Sequence, residues 1–470
     1  MADQTVLEAK EDSLDPKVPW MFFIATVSQM IGNTIAGTYL AFYLTDKMGM
    51  TAVIMGGVML ASRIADLIIG VSSGAVVQKI SLKHGQFRSW LLYAPIAVGL
   101  GTTMCFINPA IPMGAKAVMV FIGYIGYGGG MSFIQISTNG MMAKIAGPKI
   151  QDRLSISAKV VQGQNVGRLL TSLITLPLIL IFEGMGKDGY TIMQVIFVTI
   201  GVSGQMVLFV GTKKYEQYDP NFKAAGGAAS VKLTTMLTNT LKNGQIVLLM
   251  FADTLRSAVL MSIAGLNAYV FRYVVQNMAL MTTYLTISSA VGILVAFAAR
   301  PISAKLGKKN SALLSGAIGS IMYISLGLFG GTNPVLYTVF VVGAAAGIMI
   351  ITSCGVNLYL DCAEYQLFKT GQDNRTFAMS MIGVTVKLGF VASSVIVSAF
   401  LEFAGYDSAT QTMSDPAMLI RSMGLIFGGC YVLYFVLMLF YKITEDKSRE
   451  YAEHNHRVAQ ERAKATATAE

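Results

Sequence analysis

The chain has 470 residues, 54% of them hydrophobic and only 13% charged, and its mean hydropathy of +0.59 excludes a soluble composition and indicates a polytopic membrane protein. The formal net charge of +10 does not argue for nucleic acid, because lysines and arginines fall mostly in loops between apolar spans, where cytoplasmic loops carry them. The 3 histidines lie outside those spans, and the 4 cysteines sit in or beside them without metal-ligand spacing, which excludes an intramembrane histidine relay and a zinc site.

The first nineteen residues are polar and largely acidic, with neither the basic n-region nor the small-residue cleavage site of a signal peptide, so the first span is expected to be retained. About 20 apolar residues cross a bilayer. That length places twelve spans at 20–45, 51–78, 89–109, 115–143, 157–182, 190–212, 244–273, 279–300, 310–331, 335–361, 375–403 and 417–442. Loops at 79–88, 144–159, 213–242, 300–309 and 369–375 are basic, whereas those at 183–188 and 402–415 are more acidic, which puts both termini in the cytoplasm. The expected organisation is a tail 1–19, a six-helix bundle 20–212, a cytoplasmic linker 213–243 containing AAGGAAS, a second bundle 244–442 and a tail 443–470 whose Ala-Thr end is disordered.

An internal repeat supports that division. ISLKHGQFRSWLL (Ile80 to Leu92) and ISAKLGKKNSALL (Ile302 to Leu314) align without a gap, matching isoleucine, serine, lysine, glycine, a second serine and both leucines. Each joins the second and third spans of its half. The expected fold is an all-α membrane protein, twelve transmembrane helices in two six-helix pseudo-symmetric bundles, with a site between them near the midplane as in secondary transporters.

Charges inside the spans are the candidate site, since a carboxylate at bilayer depth costs at least about a few kcal/mol. Asp66 stands in ASRIADLIIG with Arg63 one turn earlier. At a rise of about 1.5 Å per residue, Asp66, Arg168, Arg256 and Lys387 all lie near the midplane. Asp253 and Arg256, three apart, either neutralise each other or line the site. Arg168 either pairs with Asp66 as a buried bridge or faces the cavity. Asn139, Gln162, Gln164 and Asn165 suit hydrogen bonds to a polyhydroxylated ligand or to a neighbouring helix. Glycines 128 to 130 serve either a bending helix or a close helix contact, and Trp20 and Trp90 at span ends suit interface anchoring.

YLTDKMGM (Tyr43 to Met50), RIADLIIG, KHGQFRSWLL, YLDCAEYQLFKTG (Tyr359 to Gly371) and Lys387 together resemble the glycoside-pentoside-hexuronide:cation symporter family of the major facilitator superfamily. The resemblance implies that Arg63 and Asp66 occupy the cation-coupling position of the second helix. It also shows departures: Gly70 stands where the family usually has a second carboxylate, and the first helix offers only Gln29 and Asn33 in place of an aspartate. By the same resemblance, Gln135 falls at the acidic sugar-contacting position of the fourth span, Lys159 near the arginine of the fifth, and Lys387 on the lysine of the eleventh. Asp361 and Glu364 match the acidic end of the tenth span, Arg300 closes the eighth, and Asp373 and Arg375 carry an expected charge pair in exchanged order. With Arg153 these form a cytoplasmic ion-pair gate that closes when the site faces outward, or else solvated loop charges.

Asp66 and Asp253 against Arg168, Arg256 and Lys387, with Lys159 nearby, leave the cavity positive. The expected solute is therefore an anion, a hexuronide or another carboxylated or sulfonated organic molecule. One carboxylate beside a glycine is a poor Na⁺ shell but an adequate proton carrier, so H⁺ coupling is favoured over Na⁺. An uncoupled facilitator is the alternative within transport, and a membrane sensor the alternative outside it. No nucleophile-histidine pairing supports an enzyme. The expectations are completed by no cofactor beyond the coupling ion, a monomer whose partners are the solute and the lipid bilayer, and a bacterial cytoplasmic (inner) membrane location.

Overall fold

The computed structural model describes residues 14–147, 150–217, 242–352, 355–371 and 375–469. Six helices form the first half: α1 (Lys17–Phe42), α2 (Ala52–Lys79), α3 (Arg88–Cys105), α4 (Met113–Ala146), α5 (Ile150–Gly184) and α6 (Gly189–Gly211). The second half contains α7 (Gly244–Tyr269), α8 (Leu280–Leu306), α9 (Lys308–Phe329), α10 (Pro334–Thr352), α11 (Gly355–Thr370), α12 (Arg375–Phe403) and α13 (Pro416–Leu439), and α14 (Glu445–Ala469) follows it. A two-stranded hairpin, β1 (Tyr406–Asp407) with β2 (Thr412–Met413), joins α12 to α13.

Among the described residues 10 helices are long and apolar enough to cross a membrane. With α1, packed along α5 and α6, and α3, packed along α4 and α6, helices cover all twelve expected spans. The tenth span, expected as one stretch 335–361, is covered by α10 and α11 on either side of residues 353–354, and α11 carries Asp361, Glu364 and Lys369. The tail also differs from expectation. Its Ala-Thr end continues as helix to Ala469, consistent with alanine being the strongest helix former.

The two halves repeat each other in detail. Helix α1 runs into a π turn at Tyr43–Lys47, and α7 into another at Val270–Val274. The aligned glycines of the repeated loop, Gly85 and Gly307, both adopt left-handed backbone, with φ of 106° and 80°. Beside each stands a carboxylate from the segment following that half's last helix. Glu216 Oε2 accepts the backbone N–H groups of Phe87 (2.9 Å) and Arg88 (2.6 Å), and Glu445 Oε1 accepts that of Lys308 (3.2 Å). A negative charge thus meets the unpaired N–H groups that open α3 and α9.

The halves touch along α1 and α7, α2 and α12, and α5 and α8; the last two pairs are counterparts under the pseudo-two-fold. On the face away from the termini, here the distal face, the contact is closed by polar groups. The Thr45 and Tyr269 hydroxyls lie 2.7 Å apart, Tyr273 and Tyr406 (3.0 Å) donate to Asp46 Oδ1, and Gln411 Nε2 donates to the Asp46 carbonyl at 2.6 Å. Gln411 does so from a left-handed backbone, φ 51°. On the terminal face the described polar networks stay within one half, as in Lys144 with Glu216 (2.9 Å) and Lys308 with Asp361 (2.7 Å).

Candidate functional site

Asp66 on α2 and Lys387 on α12 meet across the two halves. The Lys387 ammonium lies 2.7 Å from Asp66 Oδ1, 2.9 Å from the Asp66 carbonyl and 3.0 Å from Ser132 Oγ on α4. Three donors thus find three acceptors, the saturation an ammonium needs in low dielectric. Two glycines make the room. A Cβ at Gly128 would stand 2.7 Å from Asp66 Cγ, and one at Gly70 would overlap the Lys387 ammonium. The position where a second carboxylate is usual is thus open space, and a lysine from the other half fills it. For Gly128, the close-contact reading holds.

Arg63, one helical turn from Asp66, engages α12 differently. Its Nε donates to Tyr124 Oη (3.3 Å), and its Nη1 donates to the Phe390 carbonyl, Ser393 Oγ (2.5 Å) and Ser394 Oγ (2.9 Å). The guanidinium also lies over the Phe390 ring, 5.4 Å from its centroid. The described residues place no carboxylate within ion-pairing distance of it.

In the second half, Arg256 pairs with Asp253 at 2.8 Å on the same helix, and Tyr359 Oη donates to Asp253 Oδ2 at 3.2 Å. Of the two readings offered for these charges, mutual neutralisation describes the geometry. The proposed Arg168–Asp66 bridge is absent, since Asp66 is taken by Lys387. Arg168 and Gln162 are exposed along α5, with no side-chain hydrogen bond or ion pair among the described residues. Gln135 is exposed and donates to Asn139 on its own helix at 3.3 Å. Lys159 does not face the central charges: its ammonium lies over the Trp20 ring at 3.7 Å and 6.0 Å from the Phe23 centroid, held by cation–π attraction. Trp90 stacks on Phe133 with centroids 4.3 Å apart, a helix-packing contact at the start of α3.

The expected cytoplasmic gate is not assembled across the halves among the described residues. Asp361 is held by Lys308 and by Ser448 of α14 (2.6 Å), and Glu364 accepts from Asn455 of α14 at 2.8 Å, all within the second half and its tail. Arg153 reaches the Gly147 carbonyl at 3.5 Å. Asp373 and the side chains of Arg300 and Arg375 lie outside the described residues.

Ser132, Phe390, Ser393 and Ser394 join this site without having been singled out from the sequence. The adjacent serines in an apolar span were the available signal, but a serine in a helix usually returns its hydroxyl to its own backbone. Ser393 and Ser394 do so as well, toward the Phe390 carbonyl at 2.9 and 3.2 Å.

The family described as MFS/sugar transport protein matches residues 21–445. The isoprimeverose transporter of Lactiplantibacillus pentosus is 23% identical over 461 residues, covering 95% of this chain and 93% of that protein. The glucuronide carrier protein homolog of Escherichia coli (strain K12) is 22% identical over 434 residues, covering 91% and 93%. Among solved structures, a variant of the nucleoside transporter NupG superposes with a TM-score of 0.65 at 15% identity, over 90% of this chain and 100% of that one, a likeness of fold.

Proposed function

Since this chain belongs to the glycoside-pentoside-hexuronide:cation symporter family and is a secondary active symporter of a small organic solute, not an enzyme, we propose that it carries an anionic glycoside, a hexuronide or a related organic anion, together with a proton. The observation that supports this reading most is the Asp66–Lys387 pair, 2.7 Å long and shared between the two halves that must move against each other.

The coupling follows from charge. In the empty site Asp66 and Lys387 cancel. A proton alone on Asp66 frees the ammonium and adds an unbalanced charge at bilayer depth, at a cost of about a few kcal/mol. An anion alone finds Lys387 engaged and meets the carboxylate. Proton and monoanion together restore the charge of the empty site, with Asp66 neutral and the ammonium facing the anion. Empty and doubly loaded carriers can then reorient, and half-loaded ones are disfavoured, which is the requirement for symport. A Na⁺ ion would need several oxygen ligands, and the Lys387 ammonium fills the space beside Gly70 from which a second carboxylate would supply them. With the basic loops in the cytoplasm, the distal closure faces outside and the site opens inward. A bacterial cytoplasmic membrane suits this orientation, and α5 residues Arg168 and Gln162 then line the approach.

Uptake of radiolabelled methyl β-D-glucuronide into membrane vesicles tests this reading. An inward H⁺ gradient should drive accumulation and an inward Na⁺ gradient should not, and Asp66→Asn should keep exchange while losing accumulation. Accumulation driven by Na⁺ alone, or equal accumulation of methyl β-D-glucoside, would refute it. Uptake that only equilibrates would favour the facilitator, the reading that the glycine at position 70 supports.

A further inference from the structure

Two of the central cations are neutralised by their own carboxylates, Lys387 by Asp66 and Arg256 by Asp253. Arg63 is not. Each hydrogen bond it makes goes to a neutral acceptor, and three of the four go through Nη1, while Nη2 forms none among the described residues. A guanidinium with one unengaged nitrogen and no counter-ion presents charged donors to a carboxylate oxygen.

Its surroundings are a cavity. Arg63, Gly37, Thr38, Gly265, Ser393 and Ser394 are among the groups lining a space between α1, α2, α7 and α12. A Cβ at Gly37 would meet nothing within 4 Å, so α1 leaves open volume opposite the guanidinium. The cavity lies just inside the distal closure at Thr45 and Asp46. On α12, Ser393 and Ser394 stand within two turns of Lys387, on the side toward that closure.

We infer that this cavity is the seat of the substrate's anionic group: Arg63 Nη2 and the hydroxyls of Ser393 and Ser394, turned from the Phe390 carbonyl to which they donate, bind a carboxylate, and the Lys387 ammonium joins them once Asp66 is protonated. Arg63 is then an anion anchor and not part of a cation site. The inference rests on the proposed transport of an anionic glycoside and assigns the residue that selects for it.

The test is binding by the purified full-length protein in lipid nanodiscs, comparing methyl β-D-glucuronide with methyl β-D-glucoside by calorimetry. Wild type should favour the glucuronide at least about ten-fold, a difference of about 1.4 kcal/mol. Arg63→Gln should bring the ratio close to one, Arg63→Lys should retain part of it, and the Ser393→Ala/Ser394→Ala double variant should lower it several-fold. A wild-type preference that persists in Arg63→Gln overturns the seat and leaves anion transport standing. The absence of any preference in wild type overturns both. If Arg63→Gln does not fold, the serine double variant decides, and an unchanged ratio there overturns the seat.

Discussion

The protein holds two ion pairs in its spans that look alike in sequence and differ in what they join. Asp253 and Arg256 are one turn apart on α7, 2.8 Å from each other, and travel as a unit whichever way the halves tilt. Asp66 and Lys387 lie 321 positions apart, on helices of different halves, at 2.7 Å. The first pair neutralises charge inside a rigid body. The second neutralises charge across the contact between the halves, and under the proposed mechanism its state changes with their movement. In the proposed mechanism, the pair couples because its members are anchored on different halves.

The comparison breaks most visibly at Asp66. Asp66→Asn should reduce accumulation against a gradient by more than ten-fold while counterflow continues, measured as steady-state against exchange uptake in vesicles. Asp253→Asn should act on the other axis. Removing one member of a buried pair costs about 3–5 kcal/mol, so thermal stability should fall, while the transport that remains keeps its dependence on the H⁺ gradient; a loss of gradient dependence at full stability would erase the distinction between the pairs.

Gly70→Ala sharpens the comparison without removing a charge. The added methyl displaces the Lys387 ammonium from Asp66, so H⁺-driven accumulation should fall several-fold and still exceed that of Asp66→Asn.

The smallest effect is expected at the distal closure, which also joins the halves but through hydrogen bonds. Burial raises the Asp46 carboxyl above its usual range, while the Tyr273 and Tyr406 hydroxyls and the charges of Arg272 and Lys47 pull it down. When the face opens, the carboxyl returns toward an ordinary value of about 3.9. The closed face therefore binds the proton more tightly. Its advantage is full below the ordinary value and is lost as pH rises through the raised one. In a protein lacking its native cysteines, labelling of Gln411→Cys by an impermeant maleimide should slow on acidification modestly more than labelling of a free thiol does, and Asp46→Asn should remove that excess.

Much of the fold was legible because span length, loop charge and a gap-free repeat are read directly from sequence order. That Asp66 and Lys387 lie inside apolar spans was legible for the same reason, but their pairing was not. It depends on the open space left by Gly128 beside the carboxylate and by Gly70 beside the ammonium, and a glycine in a membrane helix is compatible with many contacts. Counting charges suggested Arg168 as a partner for Asp66, yet Arg168 is exposed on α5. Lys159 was placed near the site by its position along α5, and its ammonium instead found the ring of Trp20, 139 residues earlier in the chain. The carboxylate caps from Glu216 and Glu445 were hidden for a different reason: each comes from a polar segment that folds back on its half after the last helix, which no local pattern announces.

Proton movement caused by substrate tests the central claim most directly. Protein reconstituted in liposomes without any imposed gradient, in lightly buffered medium, should take up protons from outside when methyl β-D-glucuronide is added, seen as a transient external alkalinisation that is absent in Asp66→Asn and abolished by a protonophore. Substrate entry with no pH change in wild type, or an alkalinisation that survives in Asp66→Asn, would contradict coupling through the Asp66–Lys387 pair.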